Sequence, residues 1–203
     1  MKYDAKKSIE TYRVTHGEFA VVNIPPLRYL MIDGHGDPNV AEHYEDALTT
    51  LYRFAYALKF LSKDTLDRDY VVPPLEALWW SGDMAAFTSA RDKSMWDWTV
   101  MILVPDWIRD EHLDLARDAA ARKGAPMLDL LRVETLEEGL SVQTLHVGPY
   151  DDEGAVLARM HEEFLPANEL RMRGKHHEIY LSDPRRAAPE KLRTILRQPV
   201  SPA

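Results

Sequence analysis

At 203 residues, 45% apolar and 29% charged, the chain has the make-up of a globular domain able to bury one sizeable core or two small units sharing one. Its net charge of −8 argues against nucleic acid, since phosphate binding calls for a basic face, and its lack of cysteine excludes disulfides, thiolate nucleophiles and Cys-based zinc motifs. No stretch approaches the ~18 consecutive apolar residues of a membrane span, and the polar opening MKYDAKKSIETYRV lacks the apolar run of a signal peptide. No membrane partner is expected, and the cytoplasm is the expected location.

Residues 1–17 are polar, with a turn of helix expected near Lys6–Tyr12. Glu18–Ile24 (EFAVVNI) reads as a strand closed by Pro25-Pro26. Leu27–Asp33 (LRYLMID) reads as a second, ended by Gly34-His35-Gly36-Asp37-Pro38, where glycine permits positive φ. Residues 40–62 carry the clearest helical periodicity. Tyr44, Leu48, Leu51, Ala55 and Leu58 form one stripe, widened by Tyr52, Phe54, Tyr56 and Phe60.

A charged loop leads to Tyr70–Trp80 (YVVPPLEALWW), a strand interrupted near Pro73-Pro74. The polar loop Ser81–Ser94 precedes the strand Met95–Val104 (MWDWTVMILV), in which Trp96 and Trp98 share a face. Pro105-Asp106 opens a second helix that Gly124 stops. Strands are expected at Leu131–Leu136 and Leu140–Val147, a helix over Asp152–Phe164, a strand at His177–Leu181 (HEIYL), and a last short helix at Pro189–Arg197. Arg185, Arg186, Arg193 and Arg197 are then expected on the solvated face of that terminal helix.

The two halves repeat a pattern without repeating identity: strand, strand, glycine-proline turn, helix, loop, then a strand with one acid. That acid is Glu76 in the first half and Glu178 in the second. The expectation is a single α+β domain of two pseudo-repeats, about 18–81 and 94–197. A curved antiparallel sheet would carry helices on its back and an open ligand groove near a pseudo-twofold axis. Side chains alternate along a strand, so Glu76 and Trp80 share one face and Glu178 and Tyr180 share another. Both pairs are expected in the groove.

Each group has a plainer alternative. A carboxylate in an apolar strand is costly unless hydrogen-bonded or functional, but either glutamate could sit at a solvated edge or pair with Arg or Lys. Trp80, Trp96 and Trp98 suit stacking on a flat ligand, yet each could be core; Trp79, on the opposite face from Trp80, and Trp107 read as packing. Tyr150 is equally a half-buried turn residue or a ligand contact. His176 and His177 point to opposite faces and no HExxH occurs, so no metal is expected. No nucleophile elbow and no phosphate-cradling loop occurs either, and no cofactor is expected.

The strings LRYLMIDGHGDPN (27–39), YVVPPLEALWW (70–80), WDWTVMILVPDWI (96–108), HVGPY (146–150) and HHEIYLSDPRR (176–186) resemble, in order, those of the GyrI-like small-molecule-binding domain. No helix-turn-helix segment precedes them, so the resemblance is to stand-alone members rather than to the effector-binding domains of multidrug-responsive regulators. It implies two fused strand–helix–strand–strand (SHS2) units with a ligand groove between them. In regulator members a glutamate at the position of Glu178 sits among aromatics and contacts cationic, aromatic ligands. A subset of stand-alone members are cyclopropanoid hydrolases, which open the strained ring of spirocyclopropane genotoxins of the yatakemycin and duocarmycin type; the LEALWW and WDWT strings fit that subset.

The expected function is therefore a cofactor-independent hydrolase acting in detoxification. Glu178 is the expected general base, with Glu76 the second candidate and Tyr180 as hydrogen-bond donor. Trp80, Trp98, Trp96 and Tyr150 are expected to hold a small hydrophobic aromatic ligand, in a monomer or homodimer. The alternative is a module that sequesters or senses hydrophobic or cationic aromatics without chemistry. A protein-interaction role like that of gyrase inhibitors ranks last.

Overall fold

Two consecutive prolines, which cannot donate to a ladder, separate the first two strands. Pro25-Pro26 stand between β1 (Ala20–Ile24) and β2 (Leu27–His35) in the computed structural model, which describes residues 2–82 and 93–203. The remaining strands are β3 (Leu75–Trp80), β4 (Asp97–Leu103), β5 (Arg132–Leu136), β6 (Gly139–Val147), β7 (Leu170–Met172), β8 (His176–Tyr180) and β9 (Arg193–Pro202). They form one antiparallel sheet in the order β1-β6-β9-β8-β3-β4-β2-β5, with β7 added alongside β9. Outward from the central β3–β8 pair, β4 then β2 on one side is matched by β9 then β6 on the other.

Among the described residues the helices include α1 (Ala5–Ser8), α2 (Glu42–Thr65), α3 (Asp110–Arg122) and α4 (Glu153–Ala158). α4 runs on through a π-helical turn, Arg159–Phe164, into α5 (Leu165–Ala167). The stripe on α2 does what its period implies: Leu51, Phe54, Ala55 and Leu58 are buried against Leu30, Ile32, Val100 and Ile102 of the sheet. No helix among the described residues is long and apolar enough to cross a membrane.

Both faces of the central strands are covered, which is why their apolar runs are nearly continuous rather than alternating. Along β2, Leu30 and Ile32 meet the helices, while Tyr29 and Met31 join Leu78, Met101, Leu145 and Ile195 beneath the N-terminal segment of Ala5 and Tyr12. That segment also bridges Tyr3 to Tyr70, and Pro73-Pro74 then delay β3 until Leu75. Gly34 is needed for space: a Cβ there would lie 2.1 Å from the Trp98 ring, its partner across the β2–β4 ladder. Gly36, by contrast, does adopt positive φ, at 95°.

Three expectations change. The α+β class and the curved antiparallel sheet with helices hold, but the groove opens between α2 and α4, on the same side as the helices. Residues 193–202 are not helical: after a short 3-10 turn, Pro189–Lys191, they form β9, buried between β6 and β8. Leu192, Ile195, Leu196 and Val200 fit a helical spacing, but a strand buried on both faces shows the same apolar run. Arg197 is accordingly inside the protein, with no exposed area, rather than on a solvated helix. The short strand β7 had no counterpart in the sequence reading.

Candidate functional site

The sheet's central register sorts the strand residues between two very different environments. In the β3–β8 pair Ala77 stands opposite Glu178, Leu75 opposite Tyr180 and Trp79 opposite His176. Directly opposed residues share a face, so Leu75, Trp79, Glu178 and Tyr180 form the floor of one cavity. It measures about 1310 Å³ and is walled by Tyr44, Leu48 and Tyr52 of α2 and by Tyr150 and Leu157 from the second half.

A hydrogen-bonded chain crosses this floor. The indole N–H of Trp79 donates to the Tyr180 hydroxyl at 3.1 Å, and that hydroxyl donates to Glu178 Oε2 at 2.6 Å. The other carboxylate oxygen, Oε1, lies 3.5 Å from His176 Nε2. Aromatic rings surround the acid. Tyr44 stacks on Trp79 with centroids 6.3 Å apart, Trp96 meets Trp79 edge-on at 5.6 Å, and Tyr150 meets Tyr180 edge-on at 5.6 Å.

Burial, then the charge of Glu178, pushes the Tyr180 phenol well above its ordinary value. Burial together with Glu153, Glu178 and Asp183 pushes Tyr150 up to about 12. Both phenols therefore stay protonated at neutral pH and act as donors. A half-buried carboxylate with one oxygen held by a tyrosine, beneath flat rings, can hold a water as base or face a delocalised cation.

Four of the expected site residues, Glu178, Tyr180, Tyr150 and Trp96, thus line the cavity. Three do not. Trp98 is wholly buried under α2, edge-on to Tyr44 at 5.0 Å, and is core. Trp80 and Glu76 lie on the opposite face of the sheet, because Glu76 is opposite Ile179 and Glu178 is opposite Ala77. A one-residue offset between the halves is enough, since it turns a side chain to the other face. The Trp80 ring there carries the Lys175 ammonium 3.2 Å from its centroid.

Glu76 belongs to a buried polar network instead. It accepts from the hydroxyls of Tyr12 and Tyr29 and from His177 Nε2 at 2.9 Å. His177 Nδ1 contacts Glu138 at 2.9 Å, and Glu138 accepts from Arg197 at 2.9 Å; Arg197 also donates to Gln143 at 3.0 Å. Carboxylates at both ring nitrogens require both to carry hydrogen, so His177 is an imidazolium here. Burial alone would lower its pKa, but Glu138 and Glu76 more than offset this and the net direction is up. Burial likewise opposes ionisation of Glu138, yet His177 and Arg197 hold its carboxyl down at about 2. Two acids and two cations balance one another, as buried charge requires.

Trp79, Tyr44 and Tyr52 were missed as site residues. Their signal was present: Tyr44, Leu48 and Tyr52 recur every four residues along one edge of α2, and Trp79 shares the face of Leu75. Most of the loop Ser81–Ser94 falls outside the described residues. Among the described residues no group of three or more His, Asp or Glu is arranged to hold a metal ion.

Comparison with solved structures places this geometry among known proteins. A Listeria innocua protein described as a hydrolase is 38% identical, with a TM-score of 0.84 over 98% of this chain and 100% of that one. The structure of an uncharacterized conserved protein from the same organism gives a TM-score of 0.89 at 38% identity, over the same shares of the two chains. The EcmrR C-terminal domain aligns over 92% of this chain and 98% of its own with a TM-score of 0.58, at 10% identity, a likeness of fold alone. No curated protein matches the chain. The model of the GyrI-like small molecule binding domain matches residues 17–201. Matched over nearly its whole length, the chain belongs to the GyrI-like small-molecule-binding domain family.

Proposed function

We propose that the groove binds a flat, hydrophobic aromatic ligand and that Glu178 directs water onto a strained cyclopropane ring within it, a detoxifying hydrolysis. The observation that carries this reading is the Tyr180–Glu178 hydrogen bond on the floor of an aromatic-walled cavity. The 38%-identical hydrolase from Listeria innocua supports it.

In the proposed reaction Glu178 takes a proton from water as the oxygen bonds to the ring methylene. The bond from that methylene to the spiro carbon breaks, and its electron pair passes to the conjugated carbonyl. The proton then returns from Glu178 through solvent to the resulting phenolate. The one hydroxyl proton of Tyr180 is already engaged, so Tyr180 orients the base. Tyr150, protonated at the groove wall, is the donor to the carbonyl. A positioned base of this kind contributes about 10²–10⁴ in rate. Trp79, Trp96 and Tyr44 supply the stacking surface. The mirrored strand order supports reading the domain as two strand–helix–strand–strand units, about 18–81 and 94–197.

Glu178→Gln tests the assignment. Consumption of a spirocyclopropane alkylator, followed by chromatography, is expected to fall by at least about 10²-fold, while quenching of tryptophan fluorescence by the same compound persists. Unchanged consumption would remove Glu178 as base. A second reading, capture of delocalised organic cations without chemistry, is favoured by the carboxylate among rings. Quenching by a cationic dye, with no wild-type consumption of the alkylator, would establish it instead.

A further inference from the structure

The arginines near the end of the chain, expected together on one solvated helix face, go to different places in the structure. Arg197 enters the buried network, and Arg185 and Arg186 pair with Asp183. Arg193, at the start of β9, instead lines a separate hollow of about 540 Å³. The N-terminal segment walls this hollow on one side, and Leu181 and Arg193 wall it on the other.

Three cations converge there from three parts of the chain. They are Lys6 of α1, Arg13 just after the 3-10 turn Glu10–Tyr12, and Arg193. Tyr12 and Thr15 contribute to the lining, and no acidic residue is found among the described residues around it. All three cations are exposed, so a solute can reach them. Lys6 Nζ donates to the Leu181 carbonyl at 3.5 Å, and Arg13 donates to the Lys7 carbonyl. None of the three has a carboxylate partner among the described residues, whereas Arg28 is paired with Asp110 and Arg132 with Asp33. Like charges gathered without a counter-ion repel one another, and a bound anion removes that repulsion. In a chain of net charge −8, such a positive hollow does not follow from composition.

We propose that this hollow is an anion site, distinct from the groove, for a small polyvalent oxyanion of the phosphate type. The class follows from the donors. Two guanidinium forks and an ammonium call for more oxygens than the two of a monocarboxylate, and a phosphate presents three or four with a higher charge. The Tyr12 ring is buried and its hydroxyl is engaged by Glu76, so recognition falls on the anionic group rather than on a ring system. Lys6 and Leu181 also line the groove, so the two cavities adjoin. The hollow nevertheless needs neither an aromatic ligand nor Glu178.

Calorimetric titration of the full chain at low ionic strength tests it, with pyrophosphate standing for a free anion and glucose 6-phosphate for an organic phosphate. Saturable one-site binding of either supports the site, and the tighter of the two names the source. The Arg193 side chain has no other hydrogen bond or ion pair among the described residues, so its substitution reads the site alone. Arg193→Gln is expected to weaken that binding about fivefold, and Arg193→Lys to restore it to within about threefold. Arg13→Gln should act as Arg193→Gln does. Arg122→Gln, on α3 and outside the hollow, should stay within about twofold of wild type. Bound pyrophosphate should raise the Tm of wild type but not that of a variant carrying both Arg13→Gln and Arg193→Gln. Absence of saturable binding of both probes would overturn the inference. Equal weakening in Arg122→Gln would overturn it too, by showing only diffuse attraction to basic residues. Either result leaves the reading of the groove standing.

Discussion

Ala77 faces Glu178 across the central strand pair, and that one pairing sends Glu76 to the opposite side of the sheet. The two glutamates, alike in their apolar strands, thereby acquire different work. Glu178 meets Tyr180 in the groove, and Glu76 meets His177 in a sealed network.

The same register separates two adjacent tryptophans, and substitution can read it. Trp79→Phe is expected to weaken a flat aromatic ligand by about 3- to 10-fold, the worth of about one good ring contact and its polar handle. Trp80→Phe should leave the affinity within about twofold of wild type, because that ring lies beneath Lys175 on the far face. Calorimetric titration of both variants decides; comparable losses would mean that the groove lies elsewhere.

Tyr180 links the indole of Trp79 to Glu178. Tyr180→Phe leaves a buried donor and a carboxylate oxygen each short of a partner, a cost of about 1–3 kcal/mol in unfolding free energy. With the carboxylate free to rotate, kcat should drop about 10- to 100-fold while KM changes little. A rise in KM with kcat intact would instead assign Tyr180 to ligand binding.

The buried network sets two limits on stability with pH. The folded pKa of His177 is raised, so its contribution is complete below the ordinary histidine value of about 6.5 and is lost as pH rises through the folded value. Glu138 is held down at about 2, so its contribution is complete above the ordinary carboxylate range and is lost as pH falls toward that value. Scanning calorimetry across pH should show Tm falling at both ends. His177→Gln is expected to flatten the alkaline limb, and Glu138→Gln the acid limb. An alkaline limb that persists in His177→Gln would assign it to another group.

Gly34 is the smallest of the positions that the fold depends on. Gly34→Ala drives a methyl into the Trp98 ring and should destabilise by about 1–3 kcal/mol or more in denaturant unfolding. Gly36→Ala meets open space but retains an unfavourable φ, so its penalty should be the smaller. A reversed order would show that ring packing against Gly34 is loose.

Much of the fold was legible because local rules suffice for it. The stripe from Tyr44 to Leu58 has one period and one solution, and Pro25-Pro26 can only interrupt a ladder. Residues 193–197, expected as the end of a helix, are the start of β9 because an apolar run buried on both faces carries no period of its own. The candidate site was half legible. Glu178 and Tyr180 share a face two residues apart, a local fact. Which of Trp79 and Trp80 joins them is a matter of pairing register between strands a hundred residues distant.

The sequence by itself determined the elements and which side chains on each strand travel together, since alternation and helical period are properties of the local backbone. It also carried the family, in motifs that keep their order. Only the tertiary structure decided which set of each strand faces the groove. That choice belongs to no single strand: it depends on Ala77 meeting Glu178 across β3 and β8, and on the neutral bundle of Glu76, His177, Glu138 and Arg197 closing the other face.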